Sequence, residues 1–368
     1  MASNAREVLL VGSLPLRPAS AVFESVARNL GTLVPRIPDG EQVGWIRAVF
    51  QSHEKNLALE SKRKVPLDSG GRFPTSVFSL KQGKTADDLV LGPYGYADNA
   101  IKSYEQFRVL RDAGTIPKGT RSQVTMPGPG TSVFVVEVPA EQILPKARQA
   151  LLQEIERIIE VIPAADLTLQ LDIAMEAEHE EYLRRPEAWD QPMHTVFHWT
   201  MDQMAESVAW IANRIPNEVE LGLHICSIWH HDTGAGQDNQ VLVEVANALM
   251  QRLNRPLAYV HLPVIPEHTD NDYAAFANLA LPTGTKLYLG LLNLADGLDG
   301  AKKRIAMASK VVKDFGIAMF CGLGRAPGSW VGGPGDSNVQ AIVQTVLRRA
   351  TPETIDEVLT LHKQAASL

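Results

Sequence analysis

His224 and Cys226 stand two residues apart in Val219-Glu220-Leu221-Gly222-Leu223-His224-Ile225-Cys226, a run that reads as a strand. Side chains two apart on a strand share a face, so the imidazole and the thiol converge while Ile225 points the other way. Cys321, the other of the two cysteines in the chain, ends a second strand-like run, Ile317 to Cys321. His261 comes near the end of a third, Leu257 to Leu262. One imidazole, two thiolates and a further nitrogen or oxygen ligand form a tetrahedral zinc set. A lone cysteine would say little, because free Cys is among the most buried residue types. The pattern here is more specific: a His-x-Cys on one strand end and the remaining cysteine on another. His261 is the expected fourth ligand, with a hydrogen-bonded partner of a ligand or a plain core histidine as the alternatives.

Other polar residues close strand-like segments in the same way. Asp172 ends Leu167 to Ile173, an otherwise apolar run, and a buried carboxylate needs a partner. It reads either as half of an internal ion pair or as a group that holds a cationic or hydroxyl part of a substrate. Glu41, after Asp39-Gly40, reads similarly, and Ser13 and Asn293 complete the set of polar strand ends. His231 lies with His230 and Asp232 in a polar, glycine-rich loop, either plainly solvated or a lid carrying acid–base groups over the metal. His194 and His198 have a helical metal-pair spacing but no glutamate beside them, and read as structural. Glu176, Glu178, Glu180 and Glu181 read as a solvated acidic run. Trp45, Tyr94, Tyr96, Trp229 and Trp330 lie near strand ends and would suit an apolar or aromatic substrate, although such residues are more often packing than pocket.

The elements that must position these residues alternate. Short β-branched runs are followed by longer amphipathic stretches, the sign of βα units around a parallel sheet. Strands are expected near residues 7–12, 32–37, 122–126, 167–173, 219–226, 257–262, 286–292 and 317–321. Between most of them lie helical patterns, the longest from Ala140 to Val161. No dinucleotide glycine fingerprint follows the first strand, which favours a closed (β/α)8 barrel (TIM barrel) over an open doubly wound sheet. Residues 1–368 are read as one barrel domain, with about 51–118 an insertion or helical excursion after the second strand. In such barrels the active site lies at the carboxyl ends of the strands, where the residues above fall.

The 368 residues carry 35 basic and 42 acidic side chains, a net charge of −7 that argues against a nucleic-acid partner. No apolar run reaches the ~18–20 residues of a membrane helix. A polar start and only two cysteines point to a cytoplasmic protein without a disulfide framework. A homodimer is compatible with the sequence.

In this order the motifs resemble the cobalamin-independent methionine synthase superfamily, which shares its barrel with uroporphyrinogen decarboxylase. The elements that carry the resemblance are Val11-Gly12-Ser13-Leu14-Pro15, Asp39-Gly40-Glu41-Gln42, Met126-Pro127-Gly128-Pro129, Leu169-Gln170-Leu171-Asp172, His224-Ile225-Cys226 and Cys321-Gly322-Leu323-Gly324-Arg325. The resemblance implies a zinc ion that activates a small-molecule thiol for attack on the carbon of an alkyl donor. It also implies that Ser13, Glu41 and Asp172 hold the polar ends of an amino-acid thiol. The chain departs from the family in several places. His261 falls roughly where many members have a glutamate ligand. Asp172 is followed by Ile173-Ala174 rather than Glu-Pro, and Leu289-Gly290-Leu291-Leu292-Asn293 lacks the usual Asp and His. Val43-Gly44-Trp45 replaces a positively charged patch, and one barrel is present where full-length methionine synthases have two. The expectation is therefore alkyl, including methyl, transfer to or from a different thiol or donor. The alternatives are a metal-independent decarboxylase or lyase on the same barrel, a lyase cleaving C–S or C–O bonds, and a non-catalytic binder.

Overall fold

In a computed structural model of the chain, the described residues are 5–66, 74–186, 198–226, 238–265, 267–324 and 350–368. The strands, in chain order, are β1 (Val8–Leu9), β2 (Arg36–Pro38), β3 (Leu59–Pro66), β4 (Pro74–Leu80), β5 (Arg121–Pro127), β6 (Leu167–Ile173), β7 (Glu220–Ile225), β8 (Tyr259–Pro263), β9 (Lys286–Leu292) and β10 (Gly316–Met319). All but β3 and β4 form one parallel sheet in the order β1-β10-β9-β8-β7-β6-β5-β2. The seam between β1 and β2 is bridged by a parallel contact of Ser13 with Gly40, where the Leu14 N–H donates to the Gly40 carbonyl at 3.4 Å. The result is a nearly closed barrel of eight parallel strands alternating with helices, the (β/α)8 architecture.

β6 shows how the alternation builds it. Every residue of Leu167–Ile173 is buried, as both faces of a parallel strand are covered. Its polar set, Thr168, Gln170 and Asp172, shares one face. Gln170 reaches across the barrel, donating to the Val11 carbonyl (2.5 Å) and accepting from the Tyr259 hydroxyl (2.7 Å). The leucines and Ile173 form the opposite face. Outside lies α4 (Ala140–Val161), with Ile143, Ala147, Leu151, Ile155 and Ile158 buried along one stripe. Toward the strands' amino ends the interior is filled by Tyr259 and Tyr288, whose rings meet edge to face at 5.7 Å. Gly222 and Gly316 make room for them, since a Cβ at either position would run into those rings.

The excursion between β2 and β5 is more ordered than its polarity suggests. It holds α2 (Arg47–Lys55), an antiparallel hairpin of β3 with β4, and α3 (Tyr96–Asp112). Phe78 and Glu137 tie the hairpin to the barrel body through backbone bonds of 2.9 and 2.8 Å. Leu59, Val77 and Phe78 are buried while Glu60, Ser61 and Lys62 are exposed. A two-stranded ribbon with only part of its surface covered carries few apolar residues, which is why it resembled loop. Among the described residues no helix is long and apolar enough to cross a membrane.

Candidate metal centre

β7 ends by presenting His224 and then, one residue past its last ladder position, Cys226, whose N–H donates to the Ile173 carbonyl at 2.9 Å. Cys321 follows β10 by two residues. The two Sγ atoms stand 3.8 Å apart, and one ligand atom from each of His224, Cys226 and Cys321 lies within 4.8 Å of the others. Among the described residues this is the one group of His, Cys, Asp or Glu side chains that could hold a metal ion. His224 is buried, and its Nε2 has no hydrogen-bond partner among the described residues. A buried ring nitrogen near two thiols is suited to a cation or a substrate atom. The donor set, one imidazole and two sulfurs, suits a borderline-soft divalent ion.

His261 does not join these three. β7 and β8 pair so that His261 is level with His224, beside it rather than beyond it. Its Nδ1 meets His224 Nδ1 at 2.7 Å and its Nε2 meets the Met319 carbonyl at 3.1 Å, so both ring nitrogens are taken. Complete burial, with His224 next to it, holds His261 well below the ordinary imidazole pKa. The expected fourth ligand thus stands behind the first one, placed there by strand register.

Asp172 is level with His224 on the other flank, and one of its oxygens accepts from Gln170 Nε2 at 2.8 Å. Glu41 comes up beside the strand ends where the chain leaves Gly12. A Cβ on Gly12 would lie 2.5 Å from Glu41 Oε1 and 3.2 Å from Thr125 Oγ1. Ser13 packs its hydroxyl into the space left by the missing side chain of Gly322, and its carbonyl accepts from the Leu323 N–H at 2.8 Å. It therefore borders the Cys321 turn. Trp45 and Glu41 line one small cavity with Asp39, Tyr96, Asn99 and Thr125. Asn293 uses its amide oxygen locally, accepting from the Ala295 N–H at 2.8 Å. His231, with Trp229, His230 and Asp232, lies outside the described residues, as do His194 and Trp330. His198 is exposed.

Two features of the site were not read from the sequence. Glu41 and Trp45 both have left-handed backbone, with φ of 57° and 41°, a conformation that costs about 1–3 kcal/mol in a residue other than glycine. Asp39 anchors that loop: one carboxylate oxygen accepts the Glu41 N–H (2.8 Å), and the other accepts Asn99 Nδ2 (2.7 Å) and Ser103 Oγ (2.8 Å). The Asp-Gly-Glu string held that signal, since an Asp side chain commonly bonds the backbone two residues on.

The acidic run is also not solvated. Glu176, Glu178, Glu180 and Glu181 are all buried on the helix α5 (Met175–Arg184), which follows β6 directly. Glu176 accepts from the N–H and hydroxyl of Thr131 at 3.0 and 2.5 Å, and burial raises its pKa despite those bonds. Gly128 and Gly130 admit it, because a Cβ at either would lie 2.6 or 2.8 Å from Glu176 Oε1. Glu181 accepts the Asp238 N–H at 2.9 Å. Glu176 and Glu181 thus clamp loops at the barrel mouth, a role that charge alone did not reveal.

With the geometry in hand, two solved structures are informative to different degrees. One, from Listeria monocytogenes and provisionally assigned as a vitamin-B12-independent methionine synthase, aligns over 97% of this chain and 95% of its own, with a TM-score of 0.54 and 14% identity. The other, a provisionally assigned lyase/mutase from Burkholderia cenocepacia J2315, covers 73% of this chain and 71% of its own at a TM-score of 0.32 and 12% identity, too low to carry an argument. No protein-family model matches the chain, and no curated protein matches it in sequence. The Listeria likeness extends over the whole barrel and establishes the class, a (β/α)8 fold shared with that methionine synthase-like protein.

Proposed function

We propose that the protein is a zinc-dependent enzyme that transfers an alkyl group to or from the sulfur of a small-molecule thiol. The observation that carries this reading is the convergence of a His224 ring nitrogen with the sulfurs of Cys226 and Cys321. With zinc–sulfur bonds of about 2.3 Å, two thiolates on a tetrahedral ion lie about 3.8 Å apart. The thiols here already have that separation, 3.8 Å. His224, Cys226 and Cys321 would hold the ion. Bound there, zinc would supply Lewis acidity that keeps a substrate thiol ionised near neutral pH, the state in which sulfur is nucleophilic.

The remaining residues bind and orient. Asp172, level with His224, and Glu41, beside Gly12, are assigned to the cationic or hydroxyl groups of the substrate, and Ser13 to its polar end next to the Cys321 turn. Trp45 offers an apolar wall. Asn293, whose oxygen accepts one bond in its own turn, is assigned as a further polar contact for the substrate. His231 is assigned the proton exchanged with the departing group. In the transfer the sulfur forms a bond to the alkyl carbon while the carbon's bond to the leaving atom breaks, and that atom keeps the electron pair and gains a proton.

Elemental analysis of the purified chain should find close to one zinc per polypeptide, with the metal lost in Cys226→Ser and Cys321→Ser. A panel of thiols offered with methyl and larger alkyl donors should give an S-alkyl product in the wild type alone. Activity that is indifferent to chelators and retained in both serine variants would instead favour a metal-independent decarboxylase or lyase. Thiol binding without product for any donor would leave a binder.

A further inference from the structure

The hydrogen bonds behind His224 have a direction, and it can be read from one end. The Met319 carbonyl has no hydrogen, so His261 Nε2, 3.1 Å away, must donate to it. A buried histidine that stays neutral has one N–H, so His261 Nδ1 is left as an acceptor. His224 Nδ1 lies 2.7 Å from that acceptor and must donate in turn. His224 then carries its hydrogen on Nδ1, and Nε2 keeps a lone pair. Among the described residues Nε2 is buried with no hydrogen-bond partner, and His224 is the histidine that groups with Cys226 and Cys321.

We infer that His261 is a positioning residue that sets the tautomer of His224, through a one-way relay from the Met319 carbonyl, so that the Nε2 lone pair is offered to the metal. This rests on the zinc reading only for its purpose, since the hydrogen-bond direction holds with or without an ion. Two features of the fold make the relay stiff. The two histidines are register partners on adjacent strands, β7 and β8. Gly290 lets the chain at Met319 come close, since a Cβ there would lie 3.0 Å from the Met319 oxygen and 2.6 Å from Phe320 Cα. A consequence follows for the substrate. With His261 occupied, the described residues supply three ligands, which would leave a fourth tetrahedral place for an incoming thiol, as catalytic zinc sites require.

Long-range 15N–1H correlation spectra of the metal-free, full-length protein, with labelled histidine, read the tautomers directly. Hydrogen on Nδ1 of His224 and on Nε2 of His261 is the expected result; hydrogen on Nε2 of His224 overturns the inference. Zinc competition titrations give the second readout. His261→Ala should weaken zinc binding by the ~10–100-fold typical of losing a ligand's hydrogen-bond partner. His261→Gln, which carries an acceptor oxygen and a donor nitrogen at a similar separation, should restore most of it. An unchanged affinity in His261→Ala, or a glutamine variant as weak as the alanine one, would show that no relay operates. A wild-type chain that binds no zinc yet shows the expected tautomers would confirm the relay and refute the zinc reading, so the two failures are distinguishable.

Discussion

The two ends of the barrel interior are built on opposite rules. At the amino ends of the strands Arg36 is buried between aromatic rings, 4.6 Å from the centre of Tyr259, and donates to the Tyr288 hydroxyl at 3.2 Å. Tyr288 donates to Glu7 at 2.6 Å, and Glu220 takes bonds from Thr168 and Arg36 and an ion pair from Arg121. At the carboxyl ends His224 Nε2 is buried without a hydrogen-bond partner among the described residues, two thiols stand in contact, and Glu41 and Trp45 hold strained backbone. A polar interior can be stable when its bonds are made within the protein. One that leaves a lone pair and two sulfurs facing each other is suited to gain stability from a bound ion, as proposed above. Gln170 joins the two ends, bonding Tyr259 on one side and Asp172 on the other.

Perturbing each end tests this contrast, and the largest effect is expected from the proposed zinc. At free zinc near a thousand times Kd, binding to the folded chain alone adds about 4 kcal/mol to its unfolding free energy. Urea unfolding with and without a chelator should show that difference, and Cys226→Ser should abolish it. Equal curves for the wild type would make the carboxyl end as self-sufficient as the amino end. Next comes Arg36→Met, which removes a buried charge, its ring contacts and its bond to Tyr288. The expected loss is about 3 kcal/mol in a denaturant midpoint analysis, with zinc affinity untouched. A concurrent drop in zinc affinity would mean that the two ends are mechanically coupled. The smallest change is expected from Glu41→Asn, because asparagine tolerates left-handed backbone better than glutamate does. Its unfolding free energy should match or exceed that of the wild type by up to about 1 kcal/mol while thiol affinity falls. A clear destabilisation would place Glu41 among the structural residues.

Much of the architecture was legible because it rests on local periodicity. α4 at Ala140–Val161, β6 at Leu167–Ile173 and β9 at Lys286–Leu292 have the limits their apolar patterns imply. The hairpin of β3 and β4 was hidden because a partly covered ribbon has too few apolar residues to announce itself. The burial of Glu176, Glu178, Glu180 and Glu181 was hidden for the converse reason. Charge predicts exposure only until loops supply donors, as Thr131 does for Glu176 and Asp238 for Glu181.

By itself the sequence determined that His224 and Cys226 share a face, because the two-residue period belongs to any extended backbone. It also determined that the eight-strand alternation places Cys321 at a strand end of its own. Only the tertiary structure decided that His261 lies level with His224 and spends both its nitrogens there. Which residues of neighbouring strands stand side by side is set by hydrogen bonds between strands, and neither strand encodes that register alone.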